Sequence, residues 1–160
     1  MTVRNYTLWK HSRGLIVLSG YTIGYLRGDM ISSAIAAGLH RLPDHNKDVF
    51  TAASEFKRRV FSRIYYLDKT IACMDGTPPM LSRLYCDLKP CLDLSDEQLF
   101  APRHEVYAAI NRLTTDGWNA DGNIYGVSVN RAIWQLCAVR EEVLELALGV
   151  NVLISADRIT

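Results

Sequence analysis

The sequence has no Cys-x2-Cys pair, no glycine-rich phosphate loop, no long apolar run and no excess of charge of one sign. Each absence closes off a class of function. Its four cysteines, Cys73, Cys86, Cys91 and Cys137, are too few and too scattered for a disulfide scaffold. They read as reduced thiols of an intracellular protein; Cys73 and Cys137 fall within helical patterns, where a free thiol behaves as a small hydrophobe. Eighteen basic against 17 acidic residues leave a net charge of +1, whereas a nucleic-acid-binding surface usually shows a marked basic excess. The apolar run from Leu15 to Leu26, preceded by Arg4, Lys10 and Arg13, imitates a signal peptide. Ser19, Gly20, Tyr21, Thr22 and Gly24 dilute it, Arg27 and Asp29 interrupt it, and it is too short to span a bilayer. It reads as a buried helix, and no membrane partner is expected.

What is present is helical periodicity, with no alternating strand pattern and no internal repeat. A hydrophobic share of 49% with 22% charged residues in 160 places the chain among globular proteins, as one helical domain over 1–160. The expected fold is all-α, an irregular multi-helix bundle. A first helix is expected from Thr7 to Leu26, with Gly20 or Gly24 as a weak point. A second runs from Asp29, as cap, to His40, with Ile31, Ala34, Ile35, Gly38 and Leu39 on one face. Turn-forming residues fill a linker, Arg41–Phe50. The longest helix spans Thr51–Met74 with an apolar stripe of Phe56, Val60, Ile64, Leu67 and Ile71, and ends at Gly76, Pro78 and Pro79.

A loop from Thr77 to Leu94 precedes a capping box, Ser95 with Gln98. Another helix runs from Pro102, at its first position, to Leu113. A polar loop, Thr114–Gly126, leads into the last helix, Val127–Gly149. Its inward side is expected to carry Val129, Ile133, Leu136, Cys137, Arg140, Val143, Leu144 and Ala147, with the Arg140 stem buried at the edge.

Chemical constellations are sparse. A metal role for His40 would need partners, for which Cys86, Cys91 and His104 are the only candidates, and their spacing is not that of a zinc site. Asp93, Asp96 and Glu97 read as a carboxylate cluster at a helix amino terminus. Glu141, Glu142 and Glu145 read as the wet face of the last helix. Tyr65, Tyr66, Trp118 and Trp134 read as core aromatics, and no Ser/His/Asp or Cys/His set has supporting context. No catalytic residue, cofactor or metal site is assigned, and the chain is not read as an enzyme. Glu55 lies three and four residues before Arg58 and Arg59, so the three can share a helix face. The preferred role is architectural: Glu55 and Arg59 bind neighbouring backbone and the corner at Gly38–Arg41, with arginine able to bond in two places. Gly38 is expected to permit close helix packing, and His40 to satisfy carbonyls at a helix end.

The ordered blocks Gly38-Leu39-His40-Arg41, Glu55-Phe56-Lys57-Arg58-Arg59-Val60-Phe61, Leu67-Asp68, Gly76-Thr77-Pro78 and Cys86-Asp87-Leu88-Lys89-Pro90 resemble the regulatory middle homology region of fungal zinc binuclear cluster transcription factors. The resemblance covers roughly residues 14–92, and only the helical pattern continues over 93–160. Ser62 stands where that family usually has tryptophan, and Thr77 where it usually has arginine, which removes a charge partner for a nearby acidic residue. Each block alone is weak, while the ordered set is specific.

The resemblance implies a regulatory and effector domain controlling transcription by RNA polymerase II in the nucleus. It implies responsiveness to a small-molecule effector in an apolar pocket between helices. In that family zinc and DNA contact belong to a separate cysteine-rich module that this chain does not contain. The implied partners are other parts of the same transcription factor, an effector and a second copy. The alternatives are a helical scaffold or dimerisation module, or a truncated gene product without DNA binding of its own; the chain reads as a fragment of a larger helical domain.

Overall fold

A computed structural model describes residues 22–42, 50–87 and 89–149. The expected start of the first helix at Thr7, most of the linker and Leu88 lie outside the described residues. The fold is all-α. Its elements are α1 (residues 22–36), α2 (Ala52–Asp75), a 3-10 turn (Arg83–Tyr85), α3 (Asp96–Leu99), α4 (Arg103–Asn111) and α5 (Gly126–Leu148). No strand occurs among the described residues; one isolated parallel bridge joins Arg41 to Asp87.

The two long helices were legible from their ends. Thr51 Oγ1 accepts from Ser54 N–H at 3.0 Å to cap α2. Gly76, with φ +63°, closes it in the left-handed conformation that favours glycine. Ser95 and Gln98 form the reciprocal capping box that opens α3. Pro102 is the residue before α4 and not its first turn. The expected break between two early helices is absent: residues 22–36 are one helix passing through Gly24, Gly28 and Asp29, so Asp29 caps nothing.

The helix phases differ from expectation. The buried residues of α2 are Glu55, Arg58, Phe61, Ser62, Tyr65, Asp68, Lys69 and Ala72. Of its expected apolar stripe, Phe56, Val60 and Leu67 are exposed, at 54%, 36% and 41%, while Ile64 and Ile71 are half-buried. At about 100° per residue the buried set and the apolar stripe lie on nearly opposite sides of one helix. On α5, Cys137 and Leu144 are buried as expected, while Val129, Leu136 and Val143 are exposed and Asn130, Arg131 and Glu141 are buried.

The core beneath α2 gathers Ile31 and Ala34 of α1, Phe61 and Tyr65 of α2, Leu81, and Cys137 of α5. A smaller cluster holds Leu92, Leu94 and Ala109. The helices α2 and α5 run parallel: Asn130 Nδ2 donates to Arg59 O at 3.3 Å near their amino ends, and Arg140 Nη1 to Thr70 Oγ1 at 2.9 Å near their carboxyl ends. Between these, Tyr65 packs on Trp134 with ring centroids 4.8 Å apart. Arg140 also lies over the Tyr66 ring, its stem half-buried as expected.

Two substitutions five residues apart separate the two phases. Phe61→Ala, at a fully buried position, is expected to cost about 3–5 kcal/mol, against under about 1 kcal/mol for Phe56→Ala. Urea unfolding of both variants reads the difference, and equal losses would return the buried face to the apolar stripe.

Candidate functional site

The feature that organises the molecule is the segment between α2 and α3. Among the described residues from Pro78 to Ser95 the chain has only one 3-10 turn, yet Leu81 and all of Cys91–Leu94 are buried. Buried backbone outside a helix or sheet needs other partners for its N–H and C=O groups. This strap finds them in charged side chains of α1, α2 and α5.

At the carboxyl half of α2, Asp68 accepts from the backbone N–H of Met80 and Leu81, each at 3.0 Å. Arg27 of α1 donates to the same carboxylate at 2.6 and 2.9 Å. Arg27 also reaches Pro78 O at 3.2 Å and Thr77 Oγ1 at 3.3 Å. Lys69 lies 3.1 Å from Asp68 and 3.3 Å from Glu141, donates to Leu81 O, and sits 4.3 Å from the Tyr65 ring centre. Glu141 accepts from Tyr65 Oη–H and, at 3.0 Å, from Arg83 N–H. Burial, with Glu141 beside it, holds the Tyr65 hydroxyl well above the usual phenol range. Arg27 and Lys69 thus face Asp68 and Glu141 in a balanced, fully hydrogen-bonded buried cluster.

At the amino half, Glu55 accepts from Leu92 N–H at 2.6 Å and lies 3.5 Å from Arg58 Nε. Arg59 donates to Leu94 O and to Asp96 Oδ1, both at 2.6 Å. From α5, Arg131 donates to Cys91 O and Asp116 O and stacks 4.7 Å over Trp118. Asp93, wholly buried, accepts from Ser128 Oγ–H at 2.6 Å and from Asn119 N–H at 3.1 Å. Gly117, at φ +80°, passes so close that a Cβ would meet Leu92 Cδ2 at 3.3 Å.

Several expectations are corrected by this arrangement. Glu55 and Arg59 do bind backbone, but the strap's, at Leu92 and Leu94, and not that of the Gly38–Arg41 corner. That corner meets the strap elsewhere: His40 O accepts from Asp87 N–H at 3.0 Å, and Leu39 packs on the core. Gly38 serves by its left-handed φ of +69°, since a Cβ there would meet nothing within 4 Å. Asp93 and Glu141 are buried backbone and side-chain acceptors, not a helix-end cluster or a wet face. Asp96 and Glu97 do occupy the first turn of α3.

The remaining motif residues fall into place around the strap. Phe61 is at its core, Gly76 precedes it, and Pro78 supplies a carbonyl to Arg27. Pro90 is half-buried within it. Ser62, small and buried, donates to Arg58 O at 2.9 Å. Thr77 is not a cation, and Arg27 supplies the guanidinium at Asp68 instead. Arg27, Lys69 and Arg131 were missed by the sequence reading; the signal was present, since each is a cation placed among helical apolar positions.

Zinc does not fit Cys86, Cys91 and His104. Cys91 is fully buried under Asn130, Cys86 packs on the core, and the His104 side chain is 81% exposed. Burial pushes the Cys91 thiol up to about 11, away from the thiolate a metal needs. Among the described residues no three of His, Cys, Asp and Glu cluster, and no helix is long and apolar enough to cross a membrane.

Removing one charge from the buried cluster leaves the others uncompensated. Asp68→Asn is expected to cost about 3–5 kcal/mol in urea unfolding, and a loss under about 1 kcal/mol would show that the strap is held by other groups. Glu55 supplies a pH signature. Burial raises it from the ordinary 4.5 to about 7, outweighing the Leu92 N–H and Arg58, Arg59 and Arg131, which pull it down. A raised carboxyl favours the protonated folded chain, so its contribution is complete below about pH 4.5 and is lost as pH climbs to about 7. Across that window wild type should lose stability relative to Glu55→Gln; parallel pH profiles for the two proteins would contradict the assignment.

The chain is 29% identical over 94 residues to the Fusarisetin A cluster transcription factor fsa6 of Fusarium sp. (strain FN080326). That match covers 59% of this chain and 12% of the length of that protein. No solved structure matches. A family model described as the fungal specific transcription factor domain matches residues 6–105, more than half of the 160 residues. The chain belongs to the fungal specific transcription factor domain family.

Proposed function

We propose that this chain is the regulatory and effector region of a fungal transcription factor, acting on RNA polymerase II transcription in the nucleus. The observation that carries the reading is the family match over residues 6–105, within which every motif residue from Gly38 to Pro90 falls. DNA contact and zinc belong to a separate module in this reading, consistent with a net charge of +1 and no Cys-x2-Cys pair. The motif residues Glu55, Arg59 and Asp68 act as architecture, holding the strap that joins α1, α2 and α5. Other parts of the same transcription factor are its natural partners.

The effector site of this reading is a cleft beside the strap. A cleft of about 450 Å³ opens between the amino halves of α2 and α5, lined by Arg59, Arg63, Leu94, Tyr125, Val127 and Asn130. Its wall mixes apolar residues with the guanidinium groups of Arg59 and Arg63 and the carboxylates of Asp96 and Glu97, so it suits a small molecule with an apolar body and polar groups, where an apolar pocket was expected. Arg59 faces this cleft while holding Leu94 O, so occupancy of the cleft would be felt by the strap.

Tethering the chain to a heterologous DNA-binding domain in fungal cells tests the reading. Reporter output is expected to change severalfold relative to the DNA-binding domain alone, and Asp68→Asn should abolish the change by loosening the strap. Output equal to that of the bare DNA-binding domain would remove the regulatory role.

A further inference from the structure

We propose that Thr77 is a phosphorylation site for a proline-directed serine/threonine kinase, and that its phosphate acts by drawing Arg27 away from Asp68. In the 160 residues, Thr77-Pro78 is the one place where a serine or threonine precedes proline. Proline-directed kinases choose a hydroxyl by that neighbour, whose ring fixes φ and leaves no N–H.

The fold presents the hydroxyl in a form such an enzyme can take. Thr77 and Pro78 are exposed, and residues 77–79 lie in neither helix nor turn, in keeping with the extended backbone favoured before proline. Thr77 N–H holds Ala72 O at 3.1 Å, and Met80 N–H holds Asp68 at 3.0 Å. Between these two anchors the prolines have no N–H to release, so little must open for the segment to enter a second protein's active site. The kinase transfers the γ-phosphoryl group of ATP. A bond forms between phosphorus and Thr77 Oγ1, the bond to ADP breaks, and the hydroxyl proton passes to the kinase's catalytic carboxylate.

Arg27 stands where the phosphate arrives. Its Nη1 donates to Thr77 Oγ1 at 3.3 Å, while Nε and Nη2 of the same guanidinium hold Asp68 at 2.9 and 2.6 Å. A phosphothreonine carries a charge of about −1.5 to −2 at pH 7 and three acceptor oxygens, so it competes with a single carboxylate for that cation. The rest of the neighbourhood repels it. Asp75 lies two residues away at the end of α2, the last turn holds no basic residue, and the carboxyl end of the helix dipole is negative there. Lys69 is buried and already committed to Asp68, Glu141 and Leu81 O. The charge balance of the buried cluster is thus upset at the Arg27–Asp68 pair, which joins α1 to α2 beside the start of the strap. Phosphate at Thr77 loosens that fastening.

Incubating the whole chain with ATP and a purified proline-directed kinase tests both halves of the proposal. Intact and fragment mass spectrometry is expected to find one phosphate, on Thr77, in wild type. Thr77→Ser should take it at the same position, and Thr77→Ala should take none. The modified chain should unfold at a urea midpoint lower by about half a molar or more, and the Arg27 Nε–H signal in NMR spectra should shift. The midpoint difference should shrink as salt is raised, and in Asp75→Asn, where one repelling charge is gone. Thr77 and Asp75 are both exposed, and wild-type midpoints of the unmodified variants check that they fold.

Failure of the folded chain to take phosphate at Thr77, even where a synthetic peptide of residues 74–82 does, would overturn the proposal. So would a midpoint unchanged or raised by the phosphate. The inference rests on the Thr77 segment and Arg27 and not on the transcriptional reading. A tethered chain with no effect on a reporter would leave it standing.

Discussion

The constraint on which the structure depends is hydrogen bonding to a buried, non-repetitive backbone. The strap from Pro78 to Ser95 crosses the polar side of α2 and returns from its carboxyl end to its amino end. Unpaired N–H and C=O groups in such a place cost about 1–3 kcal/mol each. Asp68, Lys69, Glu55, Arg59, Arg131 and Glu141 each meet at least one of them. A charged side chain suits the task because its hydrogen bonds are stronger than neutral ones and it can bond in more than one direction. Charges brought indoors for this purpose must also be balanced against one another, which is why Arg27 stands at Asp68 and Lys69 between Asp68 and Glu141.

This arrangement explains the composition of the helices. A helix that packs on another helix can use leucine, whereas one that packs on bare backbone needs donors and acceptors. The inward side of α2 is therefore mostly polar, with Phe61, Tyr65 and Ala72 supplying its apolar contacts. Its apolar residues are free to face the other way. One side of α2 thus fastens the chain to itself, while Phe56, Val60 and Leu67 on the other are exposed.

The motifs of the family acquire physical meaning in these terms. The Glu55–Arg59 block and Asp68 sit about three turns apart along α2, which spaces their contacts along the strap at Leu92–Leu94 and Met80–Leu81. Gly38 and Gly76 both close helices in left-handed backbone, letting the chain turn. The cation at Asp68 comes from Arg27 and not from the position of Thr77, so the pair is kept while its sequence address changes.

Much was legible from the amino-acid order alone. It determined that the chain is helical, where α2 and α5 start and stop, the capping box at Ser95, and the family, because caps, glycine stops and ordered motifs are local properties. What only the tertiary structure decided was which side of α2 and α5 is buried. Periodicity locates an apolar stripe but says nothing of what covers it, and rules that bury apolar residues put Phe56 and Leu67 inside. Nothing local reveals that a loop whose contacts lie 12 to 37 residues downstream packs on the charged side and needs its charges. Burial of Asp93 and Glu141 follows from the same long-range fact: both carboxylates serve groups distant in sequence, and only the folded chain brings those groups within reach.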